Sequence, residues 1–161
     1  MIFVTLGTQR FQFDRVLKEL DNLIEEGKIK GEDLMVQCVY SEYEPKHFQT
    51  FKLKPQDEID KITDEADIII THSGTGSIIN SLKKQKRIII IPRIKEYGEH
   101  VDSHQLELAE VFSQKYNIPV VKDMEELYNA IENINHYIPQ KWEENNEGLI
   151  KAIESDIDAL L

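Results

Sequence analysis

A chain of 161 residues with 40% hydrophobic content can bury one sizeable core, so a single globular domain is expected. The formal net charge of -11 argues against a protein held to nucleic acid by phosphate contacts. No apolar run nears the roughly 18 residues of a membrane span, and no charged leader precedes the first strand, which predicts a soluble cytoplasmic protein. The single cysteine, Cys38, lies inside the apolar run Leu34 to Val39, so it reads as a buried structural thiol with no internal disulfide.

In chain order, Met1 to Leu6 predicts a strand ending at Gly7, and the polar turn GTQRFQFD follows it. Phe13, Val16, Leu17, Leu20, Leu23 and Ile24 then have the spacing of an amphipathic helix that Gly27 stops. Leu34 to Tyr40 predicts a second strand and Phe48 to Leu53 a short third. Pro55 opens a helix through Ile59, Ile62 and Ala66, where its missing N–H removes no needed bond.

Asp67 to Thr71 is a β-branched run broken by the glycines of HSGTG, and Ser77 to Lys84 carries Ile78, Ile79 and Leu82 at helical spacing. Ile88 to Ile91 is another apolar run, closed by Pro92. After the polar loop EYGEHVDSHQ, LELAEVF is helical, Ile118 to Val121 predicts a last strand, and Met124 to Ile134 a further helix. Continuous apolar strands alternating with helices predict an α/β, Rossmann-like parallel sheet with helices on both faces. The core domain is assigned to residues 1–141. From 142 to 161, Ile150, Ile153, Ile157, Leu160 and Leu161 predict an amphipathic helix whose apolar stripe packs on the domain or on a partner protein.

Two stretches carry chemistry. HSGTG sets Ser73, Gly74, Thr75 and Gly76 where a strand gives way to a helix, so backbone N–H groups and hydroxyls there suit a phosphate. GTQRFQFD after the first strand is either a plain connection, with Asp14 near the cap, or a second anion cradle. HSGTG is not a dinucleotide fingerprint, because Ile79 stands at the third glycine position, and no Walker lysine follows. It is not a serine-hydrolase elbow either, since Thr71 and Thr75 flank Ser73 at two residues. The loop after Pro92 gathers Glu96, Glu99, His100, Asp102, His104 and Gln105. That chemistry fits sugar or nucleotide hydroxyls, a solvated loop, or a divalent metal on His100, Asp102 and His104.

The motifs VTLGTQRFQFDR, ADIIITHSGTGSIINSL and IIIIPRIKEYGEHVDSHQLELA, in this order, resemble the carboxyl-terminal, donor-binding half of the family 28 glycosyltransferases. The resemblance runs from Met1 to about Asn133 and is strongest to the stand-alone, PssE-like subunit type. It implies the carboxyl-terminal half of a GT-B fold and a UDP-sugar donor, with no resident cofactor or metal. It also implies a membrane-anchored subunit that brings a lipid-linked acceptor and draws the chain to the cytoplasmic membrane face.

The implied donor-binding set is Gly7, Thr8, His72, Ser73, Gly74, Thr75, Gly76, Asn80, Pro92, Arg93, Glu99, His100, His104 and Gln105. Gly7, Thr8 and the Ser73 to Gly76 turn would face the diphosphate, His104 and Gln105 the sugar or its phosphates, and Pro92 to Ile94 the uracil. Asn80 departs from the glutamate that many relatives use to grip the ribose, and no general base is assigned within the chain. A non-catalytic donor-binding or assembly subunit is the alternative.

Overall fold

The computed structural model describes residues 1–143, 148 and 151. Five strands form one parallel sheet: β1 (Ile2–Thr5), β2 (Leu34–Gln37), β3 (Thr50–Phe51), β4 (Ile68–Thr71) and β5 (Arg87–Ile90). Their spatial order is β3-β2-β1-β4-β5, with Ile2 in register with Leu34 on one side and Ile68 on the other. Within residues 1–143 they are accompanied by the helices α1 (Asp14–Glu25), α2 (Gln56–Glu65), α3 (Thr75–Lys83), α4 (His104–Tyr116) and α5 (Leu127–Glu132).

The unbroken isoleucine runs have a simple cause, for side chains alternate across a strand and both faces here are covered. Val4, Val36, Ile70 and Ile89 pack with Val16, Leu17, Leu20 and Leu23 of α1 and Leu127 of α5. On the other face Phe3 and Ile69 meet Ile62 and Ala66 at α2, while Ile88 and Ile90 meet α3 and α4. Each fully buried leucine or isoleucine contributes roughly 1.5–3 kcal/mol, so these stripes fix which face each helix covers.

Three elements differ from the sequence reading. Ile118 to Val121 forms only an isolated parallel bridge, Ile90 to Val120, because Pro119 lacks a donor for a ladder. The helix predicted over Met124 to Ile134 is a short α5 flanked by 3-10 turns at Met124–Glu126 and Ile134–His136. The third strand shrinks to Thr50–Phe51. Cys38 is buried and free, and burial pushes its thiol up, as a structural cysteine requires.

The predicted tail helix lies almost wholly outside the described residues. Its first residue, Trp142, is buried and stacks on Tyr116 of α4, with ring centroids 5.6 Å apart.

Strand order decides where a ligand fits. The chain turns from β1 toward β2, and the later strands build outward on the other side of β1. The carboxyl ends of β1 and β4 therefore flank the switch point, the place where open α/β sheets hold ligands.

Candidate functional site

Two turns face each other at that switch point. After β1 the chain passes through Gly7 at φ 85°, a left-handed conformation that side chains rarely adopt. After β4 come His72, Ser73 and Gly74, and α3 begins at Thr75 with Gly74 as its cap and no side-chain capping bond. The imidazole of His72 lies between the two glycines. A Cβ on Gly7 would stand 2.8 Å from its Nε2, and one on Gly74 would stand 2.2 Å from its Cε1. The glycines are thus needed as much for the ring they accommodate as for the turns they make.

The first turn of α3 points backbone N–H groups and the helix's partial positive end into this crevice. Ser73 is fully buried, and its hydroxyl has no hydrogen-bond partner among the described residues. Such a group is expected where a structure holds a polar ligand in reserve.

Gln105, in the first turn of α4, joins the loops after β4 and β5. Its Oε1 accepts from the backbone N–H of Arg93 at 2.9 Å and of Ser73 at 3.4 Å, and its Nε2 lies 3.3 Å from Nδ1 of His72. Burial, with the Arg93 guanidinium and His100 beside it, pushes His72 down to about 3, so the ring is neutral. Asp102 accepts from the backbone N–H of His104, the first residue of α4, at 3.0 Å. Its Oδ1 also lies 3.0 Å from Nδ1 of His100 and 3.3 Å from Nδ1 of His104. Burial lowers His100 while Asp102 pulls the other way. Among the described residues no group of three His, Cys, Asp or Glu side chains is placed to hold a metal ion.

The segment after β5 has a different character. Arg93 is 2% exposed, and its guanidinium donates to the carbonyls of Leu6 (2.5 Å), Phe11 (2.9 Å), Gln12 (3.4 Å) and Glu99 (3.0 Å) while lying over the Phe13 ring. Glu99, 1% exposed, accepts from the backbone N–H of Ile94 at 2.9 Å and from Arg15 Nε at 2.8 Å. Arg15 also donates to the carbonyls of Pro92 and Lys122. These side chains tie the β5 loop to the β1 loop. Apart from Arg93 Nε, which is buried without a partner among the described residues, their charged groups are directed at protein atoms.

Two clefts flank the crevice. One, of about 430 Å³, lies between α2 and α3 and is lined by Thr8, Leu53, Gln56, Gly76, Ser77 and Asn80 among others. The other, of about 660 Å³, lies above α1 and is lined by Gln12, Arg15, Lys18, Ile94, Tyr97 and Glu99 among others. The candidate residues therefore divide. Gly7, His72, Ser73, Gly74, Arg93 and Gln105 are brought together, and His100 and His104 cluster on Asp102. Thr8, Gly76 and Asn80 line the α2/α3 cleft, whereas Ile94 and Glu99 face the α1 cleft. Leu53, 70% exposed, and Gln56 of the α2/α3 cleft escaped the sequence reading. An exposed leucine between lysines was the one available signal. Arg15 was missed as well, because a single arginine in a helix gives none.

The glycosyltransferase family 28 C-terminal domain profile matches residues 1–160. The chain belongs to this family. A UDP-N-acetylglucosamine transferase subunit ALG13 from Candida albicans is 39% identical over 75 residues, covering 47% of this chain and 24% of that protein. The Candida glabrata protein of the same name is 33% identical over 84 residues, covering 50% and 40%. The matched segments thus span less than half of these curated relatives. Among solved structures, an NMR solution structure of ALG13 matches with a TM-score of 0.57 and 18% identity over 92% of this chain and 94% of that one. The spinosyn forosaminyltransferase SpnP matches with a TM-score of 0.54 and 16% identity over 82% of this chain and 34% of that one. At such identities the structures bear out the Rossmann-like fold expected of this family 28 domain. Among its described residues no helix is long and apolar enough to cross a membrane.

Proposed function

We propose that this family 28 domain binds a UDP-sugar across the β1/β4 crevice. In this reading it is the donor half of a glycosyltransferase that works with a membrane-anchored, acceptor-binding subunit on a lipid-linked acceptor. The observation that carries the reading is the convergence of the α3 N-terminus, the Ser73 hydroxyl with no partner among the described residues and the His72 ring between two glycine turns, beside an open cleft. Relatives named as UDP-N-acetylglucosamine transferase subunits support the donor class and the need for a second subunit.

The diphosphate is placed at Gly7, the Ser73 to Gly76 turn and His72. The nucleoside is placed in the α2/α3 cleft beside Thr8 and Asn80 rather than beside Pro92 to Ile94, since Arg93 and Glu99 are committed to holding loops together. His100 and His104, joined through Asp102 at the start of α4, are placed toward the sugar. In the transfer, the bond from the sugar's anomeric carbon to the β-phosphate oxygen breaks and a bond to the acceptor hydroxyl forms. Charge develops on the departing UDP, and donors fixed in advance stabilise it without reorganisation. The acceptor's proton goes to a base on the partner. No metal is required, so excess chelator should leave UDP binding unchanged.

The test is thermal unfolding with and without UDP. One hundred Kd of ligand should stabilise by about 2.7 kcal/mol, and no upward shift at millimolar UDP would overturn the reading. Purified alone, the chain should transfer sugar weakly. In the assembled complex His104→Ala should abolish turnover while assembly persists, and unchanged turnover would favour a non-catalytic donor-binding subunit instead.

A further inference from the structure

The Gln105 side chain bridges two loops, and the way it does so fixes which of its atoms faces His72. Its amide oxygen is held by two backbone donors from separate segments, Arg93 N at 2.9 Å and Ser73 N at 3.4 Å. A backbone N–H can only donate, so the oxygen must face these two groups and the NH2 must face the imidazole. That NH2 lies 3.3 Å from Nδ1 of His72 and donates there, which requires Nδ1 to carry a lone pair.

The ring is also held neutral. His72 sits in packed surroundings with the Arg93 guanidinium and His100 as its charged or titratable neighbours, and both oppose a positive ring. A neutral imidazole has one N–H. With Nδ1 accepting, the proton resides on Nε2. This is the atom lying between the two glycine turns, 2.8 Å from where a Cβ on Gly7 would stand and 2.7 Å from where one on Gly74 would stand.

We propose that Gln105 is a positioning residue that acts through His72, locking the ring in its Nε2–H tautomer so that a neutral N–H donor faces the leaving diphosphate. The inference rests on the UDP-sugar reading for what the donor meets, but not for the tautomer itself. No proton leaves the ring during transfer. Its Nε2–H donates a hydrogen bond that strengthens as charge builds on the β-phosphate oxygen, and the donor's strength does not vary with pH near neutrality. A histidine whose tautomer was free would present a lone pair to an anion part of the time, which repels it. The arrangement also explains why a glutamine in the first turn of α4 reaches back to β4 instead of forward into the open cleft.

The discriminating variant is Gln105→Glu. A carboxylate accepts from Arg93 N and Ser73 N as the amide does, so the loops stay joined, but it presents an acceptor to His72 and draws the ring proton to Nδ1. The readout is a long-range 1H–15N correlation spectrum of histidine-labelled chain without ligand. Wild type should show His72 protonated at Nε2 alone. Gln105→Glu should show it protonated at Nδ1, and UDP affinity measured by titration should fall roughly tenfold or more, as expected for one lost charge-assisted bond.

Gln105→Met, which removes the amide donor without adding charge, should give mixed tautomers and a smaller loss. Wild-type His72 protonated at Nδ1, a tautomer unchanged in Gln105→Glu, or a switched tautomer with unchanged UDP affinity would each overturn the inference. If the wild-type chain binds no UDP while the tautomers behave as stated, the UDP-sugar reading fails and the control of His72 by Gln105 stands.

Discussion

The loops that follow β4 and β5 lie side by side at one sheet edge and use their polar groups differently. After β5, the two terminal nitrogens of the Arg93 guanidinium donate to four backbone carbonyls, leaving its Nε without a partner among the described residues, and Glu99 accepts from Arg15 and a backbone N–H. After β4, the Ser73 hydroxyl has no partner among the described residues and the α3 N-terminus has no side-chain cap. A buried charge must be paired or it destabilises the fold, so a dense polar loop can be pure scaffold. A binding site has the reverse requirement, because its donors must be fixed in place yet left unused.

The largest expected effect comes from breaking the paired side. Arg93→Met keeps the aliphatic bulk but removes the donors to Leu6, Phe11, Gln12 and Glu99, and should destabilise by about 3–5 kcal/mol in urea unfolding. A loss below about 1 kcal/mol would show that those carbonyls find water instead and that the two loops are not so different.

On the open side the damage should be local. Gly74→Ala drives a methyl group into the His72 ring, and the overpacking should cost about 1–3 kcal/mol. The UDP-induced thermal shift should vanish in this variant even where it remains folded. A normal UDP shift would place the diphosphate elsewhere.

Asp21, 2% exposed on α1, provides a second paired charge, further along the helix beside the loop between β2 and β3. It accepts from the Tyr43 hydroxyl and from the backbone N–H groups of Lys46 and His47, clamping the loop between β2 and β3. Burial alone would raise its carboxyl, but these hydrogen bonds outweigh it and leave the pKa lowered. A lowered folded value gives stability that is present above the unfolded pKa of about 3.9 and lost as pH falls through the folded value. Asp21→Asn should therefore cost about 1–2 kcal/mol at pH 7 and flatten the acid limb of a stability profile, measured by urea midpoints across pH. An acid limb as steep as wild type's would assign that limb to other carboxylates.

The smallest effect is expected at Gly76, two residues from Gly74, where an added Cβ meets nothing within 4 Å. Gly76→Ala should leave the unfolding free energy, measured by urea denaturation, unchanged or raised by up to about 1 kcal/mol of helix propensity. The contrast between neighbouring glycines isolates the His72 contact from any general property of the turn.

Part of this was legible beforehand. Isoleucine runs buried on both faces, amphipathic spacing in α1 and the glycine break after β4 announced a parallel α/β sheet and its phosphate-type turn, because those signals are local. The family resemblance was legible too, from three ordered motifs. The strand expected at Ile118 to Val121 was not realised beyond one bridge, since Pro119 interrupts a ladder that apolar content alone had implied.

Within the candidate set, the residue types gave no means of separating Arg93 and Glu99 from His104 or Asn80. All are polar side chains in or near glycine- and proline-marked loops. Which of them faces protein and which faces a cleft depends on partners 80 or more positions away, as in Arg93 with Leu6 or Arg15 with Glu99.

The sequence by itself thus determined the layers, the strand order's raw material and the family, all of which follow from periodicities and motifs within a few tens of residues. Tertiary structure alone decided that Gln105 turns toward His72, that Arg93 serves the loops and that the open cleft runs between α2 and α3. Those outcomes are set by hydrogen-bond satisfaction among segments distant in sequence, where each buried donor must find an acceptor and only the folded arrangement shows which ones are left over.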